Sequence, residues 1–200
     1  AYAWQVAETA VRFRDQGLVA LDLAGNEAHF PAQPFAPVLH HACANGLRLT
    51  VHAGEWAGPE GIAYAVHTLQ ADRIGHGIRA VGDPVLLAEL AEHRVPLEVC
   101  PTSNVYSGAA PSLAQHPLTA LTQAGAFTTI NTDDPLVCDL TLTEQLLQIM
   151  QHMPVTLAEL RAYMLRAASA ASFAFCFAVV FFVSLFPFKK YFNFGDFNKY

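Results

Sequence analysis

Two histidines and two adjacent aspartates stand directly after short apolar runs of this 200-residue chain. His52 follows one run, with Glu55 three residues further on, and His76 ends another between two glycines. Asp133 and Asp134 come just after a third run. Imidazole nitrogens and carboxylate oxygens are ligands that zinc accepts. A nearby carboxyl group can carry protons to or from a substrate nitrogen. The residue types therefore favour a metal-assisted reaction.

Each of these residues also has a purely structural explanation. A single histidine in an apolar setting is more often structural than catalytic, and an H-x-x-E spacing is common. An aspartate before Pro135 could cap a helix. Two adjacent aspartates at a buried strand end would repel each other unless a cation or hydrogen-bond donors held them. Capping therefore accounts for one of the two aspartates more easily than for both.

The apolar runs alternate with segments of helical periodicity, which predicts parallel strands joined by crossover helices. The predicted strands cover residues 18–23, 47–51, 73–75, 96–99 and 127–130. The predicted helices cover residues 1–14, 35–45, 59–70, 84–93, 113–124, 143–152 and 156–171. Polar residues follow all five strands, as in barrel enzymes, whereas an open sheet concentrates ligands at one switch point. We therefore expect an α/β fold, an incomplete (β/α)8 TIM barrel with five C-terminal βα units, and three units missing before them.

The end of the chain differs from this pattern. Residues 170–188 carry no charge and are rich in phenylalanine. An uncharged stretch of this length is typical of a membrane-spanning helix. It is also compatible with a packed helix, or with a tail foreign to the fold, which we favour. We predict that residues 1–173 form the barrel part and that residues 174–200 form a separate hydrophobic tail.

Composition narrows the class of partner. The formal net charge is −6 and no extended basic patch is present, which argues against nucleic acid and for a small polar substrate. The four cysteines are far apart and form no C-x-x-C pair, so we expect buried free thiols. They are Cys43, Cys100, Cys138 and Cys176. No signal-peptide pattern is present at the start, so we expect a cytoplasmic protein, with membrane attachment only if the tail provides it.

Five motifs, taken in order, resemble the adenosine deaminase family. They are DLAGNE at 22–27, HAGE at 52–55, RIGHG at 73–77, CPTSN at 100–104 and NTDDP at 131–135. The resemblance covers residues 1–173. It implies zinc-dependent hydrolytic deamination of adenosine, a small purine nucleoside, to inosine and ammonia. Deaminases of adenine or of modified adenosines share most of these motifs. The other class of zinc deaminase, with H-x-E and P-C-x-x-C, is excluded because neither pattern occurs.

The resemblance also implies roles for individual residues. His52 and Asp133 correspond to zinc ligands. Glu55 corresponds to the acid that protonates purine N1, and His76 to the residue that orients and activates the hydroxide on zinc.

Two further positions correspond to substrate contacts in the family. Gly25 matches the backbone donor to purine N3, and Asp134 matches the group that binds N7. Ser103 and Asn104 match the family motif, and we expect only a supporting role for them.

One feature of the family is absent from the sequence. The family takes two more zinc ligands from an H-x-H at the end of its first strand, and no H-x-H occurs here. His40 and His41 are adjacent on a predicted helix and cannot substitute for it. We therefore expect the chain alone to be inactive. The alternative from another class is a non-catalytic remnant, attached to a membrane through its tail.

Overall fold

The computed structural model describes residues 2–171 in full and the backbone of residues 177–182. Within these ranges, helices and strands alternate along the chain. The helices are α1 (Tyr2–Phe13), α2 (Ala36–Ala44), α3 (Pro59–His67), α4 (Pro84–Glu92), α5 (Pro101–Tyr106), α6 (Leu118–Gln123), α7 (Leu142–His152) and α8 (Leu157–Ala170). The strands are β1 (Leu18–Ala24), β2 (Arg48–Ala53), β3 (Arg73–His76), β4 (Leu97–Val99), β5 (Thr128–Ile130) and β6 (Phe177–Phe182).

The strands form one parallel sheet in the order β5-β4-β3-β2-β1-β6. From β1 to β5, each strand pairs with the next strand along the chain. A doubly wound sheet reverses its strand order at a switch point, whereas a barrel adds each strand on the same side. The order therefore confirms the expected α/β architecture with five consecutive units of a barrel-type sheet.

The strands have two chemically different faces. Apolar side chains of alternate residues, such as Leu49, Val51 and Ile74, are at most 1% exposed and belong to the main hydrophobic core. The intervening positions are polar: Arg73 Nε donates to Thr50 Oγ1 at 3.2 Å, and Arg73 Nη1 lies 3.1 Å from Glu98 Oε1. Because side chains alternate between the faces of a strand, the polar residues share one face.

Two helices differ from the sequence expectation. The helix predicted over 113–124 is interrupted: a single 3₁₀ turn covers Leu113–Gln115, and α6 begins only at Leu118. His116 is extended, with φ −69° and ψ 137°, because the residue before a proline avoids helical geometry. The short helix α5 was not predicted. It begins directly after β4 with Pro101 in its first turn, a position that tolerates the missing N–H.

The tail contains a strand where the sequence suggested a foreign segment, a membrane helix or a packed helix. Phe177–Phe182 pairs in parallel with β1, on the side opposite β2. Its β-branched and aromatic residues favour an extended chain. None of the helices in the described part of the chain is long and apolar enough to span a membrane. The boundary at residues 173 and 174 remains a prediction.

Candidate active site

His52 lies at the C-terminal end of β2, and its orientation is set from the neighbouring strand. Its Nδ1 is 3.1 Å from Oδ1 of Asp22 in β1. A carboxylate can only accept a hydrogen bond, so Nδ1 carries the proton and Nε2 is left with a lone pair. Burial opposes a charge on the ring, but the hydrogen bond and negative charge of Asp22, together with the charges of Asp133 and Glu55, outweigh burial and raise the pKa of His52. A metal ion would bind Nε2 in the neutral ring, through this lone pair.

Gly75 leaves the space that the His52 ring occupies. A Cβ atom at this position would lie 2.9 Å from His52 Nδ1, closer than such contacts normally are. Glycine therefore allows β3 to pass beside the ring. The ring of His76, the next residue, meets that of His52 edge to face, with the centroids 5.0 Å apart.

His76 ends β3 in an unusual backbone conformation. Its φ is 63°, a left-handed value that non-glycine residues seldom adopt and that is often found at functional sites. The side chain is 2% exposed, and Nε2 lies 3.4 Å from Glu55 Oε2 and 4.0 Å from Asp133 Oδ2. Burial, with a smaller contribution from His52, lowers the pKa of His76 to about 4. The ring is therefore neutral at neutral pH.

Glu55 presents a buried carboxyl group to His76. It is 4% exposed, and its Oε1 accepts hydrogen bonds from Ser107 Oγ at 2.8 Å and Asn104 Nδ2 at 3.1 Å. Burial raises the pKa of Glu55 to about 7, although the two hydrogen bonds act in the opposite direction. A carboxyl group with this pKa can both give and take a proton near neutral pH.

Glu27 holds the loop that carries Glu55. Its carboxylate accepts hydrogen bonds from four consecutive backbone N–H groups, those of residues 54–57, at 2.5 to 3.3 Å. Gly54 has φ +69°, which turns the chain sharply after β2. The loop after β1 therefore fixes the backbone from which the Glu55 side chain extends.

Asp133 follows β5 and faces the two histidines. Like His76 it has a left-handed backbone, with φ 61°. Its Oδ2 accepts a hydrogen bond of 2.6 Å from Ser103 Oγ. One possible ligand atom each from His52, His76 and Asp133 lie within 4.8 Å of one another. This spacing lets several of them reach one metal ion.

The two residues predicted to contact substrate lie at the same edge of the sheet. Gly25 directly follows β1, with φ +129°. Asp134 Oδ1 accepts a hydrogen bond from the backbone N–H of Val137 at 3.2 Å, so this carboxylate stabilises the turn after β5. The sequence allowed one aspartate to cap a helix before Pro135, but residues 135–139 form a turn and the next helix begins at Leu142, so Asp134 stabilises a turn and caps no helix.

Several residues around the site were missed by sequence reasoning, or were given only a supporting role. Asp22 and Glu27 belong to the DLAGNE motif, but their hydrogen bonds to residues about thirty positions away leave no local pattern. Asn104 contacts both Glu55 and His76 and is fully buried. His116 contacts Asn104, and a histidine before a proline carries no signal that could have indicated this.

Comparisons with known proteins show the family of the chain. The family model described as "Adenosine deaminase" matches residues 1–176. The chain belongs to the adenosine deaminase family. An adenosine deaminase of Serratia proteamaculans is 46% identical over 157 residues, which are 78% of this chain and 47% of that protein. An aminodeoxyfutalosine deaminase of Streptomyces avermitilis is 50% identical over 124 residues, 62% of this chain and 35% of that protein.

Solved structures also resemble the chain. An amidohydrolase from Burkholderia ambifaria with bound Zn is 26% identical, with a TM-score of 0.77 over 84% of this chain and 47% of that one. The chain spans about half the length, or less, of these three proteins.

The residues present fit part of a family zinc site. His52 offers Nε2 with its other nitrogen bound to a carboxylate, an arrangement that is common for zinc-binding histidines. Asp133 offers a carboxylate oxygen beside it. Catalytic zinc normally takes three protein ligands. The two predicted ligands are thus suitable in type and position but too few to complete the site by themselves.

Proposed function

We propose that the protein is a zinc-dependent deaminase that converts adenosine and water to inosine and ammonia. The observation that carries this proposal is the convergence of His52, His76 and Asp133 beside the buried carboxyl group of Glu55. Because the chain spans about half the length of its relatives, the proposal concerns the protein with a complete zinc site. We expect residues 1–200 alone to be inactive.

His52 and Asp133 would hold the zinc ion, together with ligands that this chain does not supply. When bound, zinc lowers the pKa of a coordinated water to near neutrality and so makes it nucleophilic. Asp22 would keep the His52 ring oriented toward the metal, and Ser103 would do the same for Asp133.

Glu55 and His76 would handle the protons of the reaction. Glu55, with a pKa of about 7, would give a proton to purine N1, which makes C6 electrophilic. His76 would hold the attacking oxygen through Nε2, the nitrogen that faces both Glu55 and Asp133. Attack at C6 forms the new C–O bond. The attacking water gives up both its protons: one replaces the proton that Glu55 gave to N1, and the other goes to the exocyclic nitrogen, so that the C6–N bond breaks and ammonia leaves.

Gly25 and Asp134 would bind the purine ring, Gly25 through its backbone N–H at N3 and Asp134 at N7. The Val137 N–H already donates to Asp134 Oδ1, so Oδ2 is the atom we assign to N7. Because N7 carries only a lone pair, this hydrogen bond requires a proton on Oδ2, which would donate it to N7. We propose that the protein acts on a free small molecule in the cytoplasm and that residues 174–200 take no part in the reaction.

The second candidate is deamination of a modified adenosine. The Streptomyces relative, 50% identical over the matched residues, is named for aminodeoxyfutalosine. The complete gene product should be purified with zinc and offered adenosine, aminodeoxyfutalosine and free adenine in parallel. Ammonia release and the change in ultraviolet absorbance report turnover. A kcat/KM for adenosine well above the other two supports the first candidate, and the reverse ranking overturns it.

The same experiment separates the enzyme from a non-catalytic remnant. A complete gene product that binds zinc but turns over none of the three substrates would overturn the proposed activity. The control is Glu55→Gln, which keeps the shape of the side chain but removes its titratable proton. Turnover at the wild-type rate after this substitution would overturn the role of Glu55.

A further inference from the structure

A buried chain of polar side chains connects α6 to the proposed catalytic residues. His116 Nε2 lies 3.2 Å from Asn104 Oδ1, and Asn104 Nδ2 lies 3.1 Å from both Glu55 Oε1 and His76 Nδ1. His116 is 5% exposed, Asn104 0% and His76 2%. In such a chain each donor must meet an acceptor, so the direction of one hydrogen bond sets the direction of the next.

The direction of these hydrogen bonds follows from a backbone group. The N–H of Leu118 donates to His116 Nδ1 at 3.0 Å. A backbone N–H can only donate, so Nδ1 carries the lone pair. Burial lowers the pKa of His116 to about 4, so the ring is neutral at neutral pH and its proton lies on Nε2. This Nε2–H then donates to Asn104 Oδ1.

The orientation of the Asn104 amide is therefore set by His116. With its oxygen facing His116, the NH2 group must face the other two partners. Its two hydrogens are used by Glu55 Oε1 and His76 Nδ1. His76 accepts at Nδ1, so in the neutral ring the proton lies on Nε2. This is the nitrogen that faces Glu55 and Asp133.

We propose that Asn104, oriented by His116, is a positioning residue that fixes His76 in its Nε2-protonated tautomer, as a hydrogen-bond donor toward the reacting oxygen. The assignment of the reacting oxygen depends on the proposed function, whereas the tautomer depends only on the hydrogen bonds. In this state Nε2 has no lone pair for a metal, and His76 stands beside the zinc site without coordinating it.

The first test measures the tautomer directly. In the complete gene product, nitrogen-15 NMR of the histidine rings should show His76 Nδ1 as unprotonated and Nε2 as protonated at neutral pH. In Asn104→Asp the carboxylate can only accept, so His76 Nδ1 should become protonated. A protonated Nδ1 in the wild type, or no change in Asn104→Asp, would overturn the proposal.

A matched pair at position 116 provides the control and does not change Asn104. His116→Gln places an N–H donor near the position of Nε2, and His116→Asn places an acceptor near the position of Nδ1 only. We expect His116→Gln to keep the wild-type NMR pattern. In His116→Asn, which keeps the bond from Leu118, the Asn104 amide can turn and His76 should show mixed tautomers. Identical NMR patterns in both variants would contradict the proposal that His116 orients Asn104. If Asn104→Asp fails to fold, this pair of variants still tests the proposal.

Kinetics provide the second readout. Loss of a partner that orients a site residue typically costs about 10- to 100-fold. We expect Asn104→Asp and His116→Asn to lower kcat by that factor with little change in KM, and His116→Gln to stay close to the wild type. An equal loss in both His116 variants, or a loss confined to KM, would overturn the positioning role. If the wild type itself shows no turnover, the proposed function fails, and the NMR result still decides the tautomer.

Discussion

Asp22 Oδ1 lies 3.1 Å from His52 Nδ1, so a carboxylate of β1 fixes the ring of the histidine that ends β2. The two residues are 30 positions apart in the chain and adjacent in the sheet, where Asp22 pairs in register with Thr50. This hydrogen bond leaves His52 Nε2 as the atom that is free to bind a metal ion.

Removal of the Asp22 carboxylate should therefore weaken zinc binding. We expect Asp22→Ala in the complete gene product to lower zinc affinity by about 10- to 100-fold, because the His52 ring loses its orientation and basicity. Competition with a chelator of known affinity measures the change. The control is Asp15→Ala, since Asp15 is highly exposed and lies outside the site. Equal affinity in both variants would show that Asp22 does not support the metal ligand.

The 200-residue chain by itself should bind zinc weakly. His52 and Asp133 are the two ligands we assign, and a catalytic site normally takes three from protein. We expect isothermal titration to give weak binding, and an ammonia-release assay to detect no turnover. Tight stoichiometric binding with turnover that His52→Ala abolishes would contradict this expectation. The remaining ligands would then come from a second copy or from residues not assigned here.

The pH dependence of the reaction should report Glu55. As a proton donor, Glu55 must be protonated, and its pKa is about 7. We expect kcat/KM to fall as the pH rises through about 7, because the protonated fraction falls. A Glu55→Gln variant should lose about 10²- to 10⁴-fold in rate and also lose this alkaline limb. A pH profile whose alkaline limb persists in the residual activity of the variant would assign the limb to another group.

Burial of neutral His116 should make stability depend on pH. Its pKa is lowered from 6.5 to about 4, so the unfolded chain takes up the proton first as the pH falls. The stabilisation is complete above pH 6.5 and is lost as the pH falls toward about 4, by about 3 kcal/mol in total. Urea unfolding at several pH values should show a shallower dependence in His116→Gln. The control His152→Gln, at an exposed position, should keep the wild-type slope.

The Glu27 carboxylate should matter for both stability and activity. Glu27→Gln keeps the size of the side chain but removes its charge and replaces one acceptor oxygen by an NH2 group, so at least one of the four N–H groups of residues 54–57 loses its acceptor. We expect a loss of about 2 kcal/mol in the free energy of unfolding, measured with urea, and a lower kcat because Glu55 is less well held. The control is Glu92→Gln at an exposed position of α4. Comparable behaviour of the two variants would argue against this function of Glu27.

The sequence by itself determined the alternation of strands and helices and the positions of the reactive residues at the strand ends. The periodicity of apolar residues and the positions of glycine and proline are local signals, and they were sufficient to predict β1 to β5 and most of the helices. They also indicated His52, Glu55, His76 and the aspartate pair as candidate site residues, because each of these lies at the end of an apolar run or within four residues of it. The interruption before α6 and the helix α5 were missed although prolines mark both.

Only the tertiary structure decided which partners these residues have. The bonds of Asp22 to His52 and of Glu27 to residues 54–57 join the ends of different strands, and strand register sets them. The tautomer of His76 depends on Asn104 and His116, which are 28 and 40 positions away in the chain. The pairing of β6 with β1 likewise has no signal in either strand alone. Local patterns encode the elements, but the direction of a buried hydrogen bond depends on every group that surrounds it once the chain has folded.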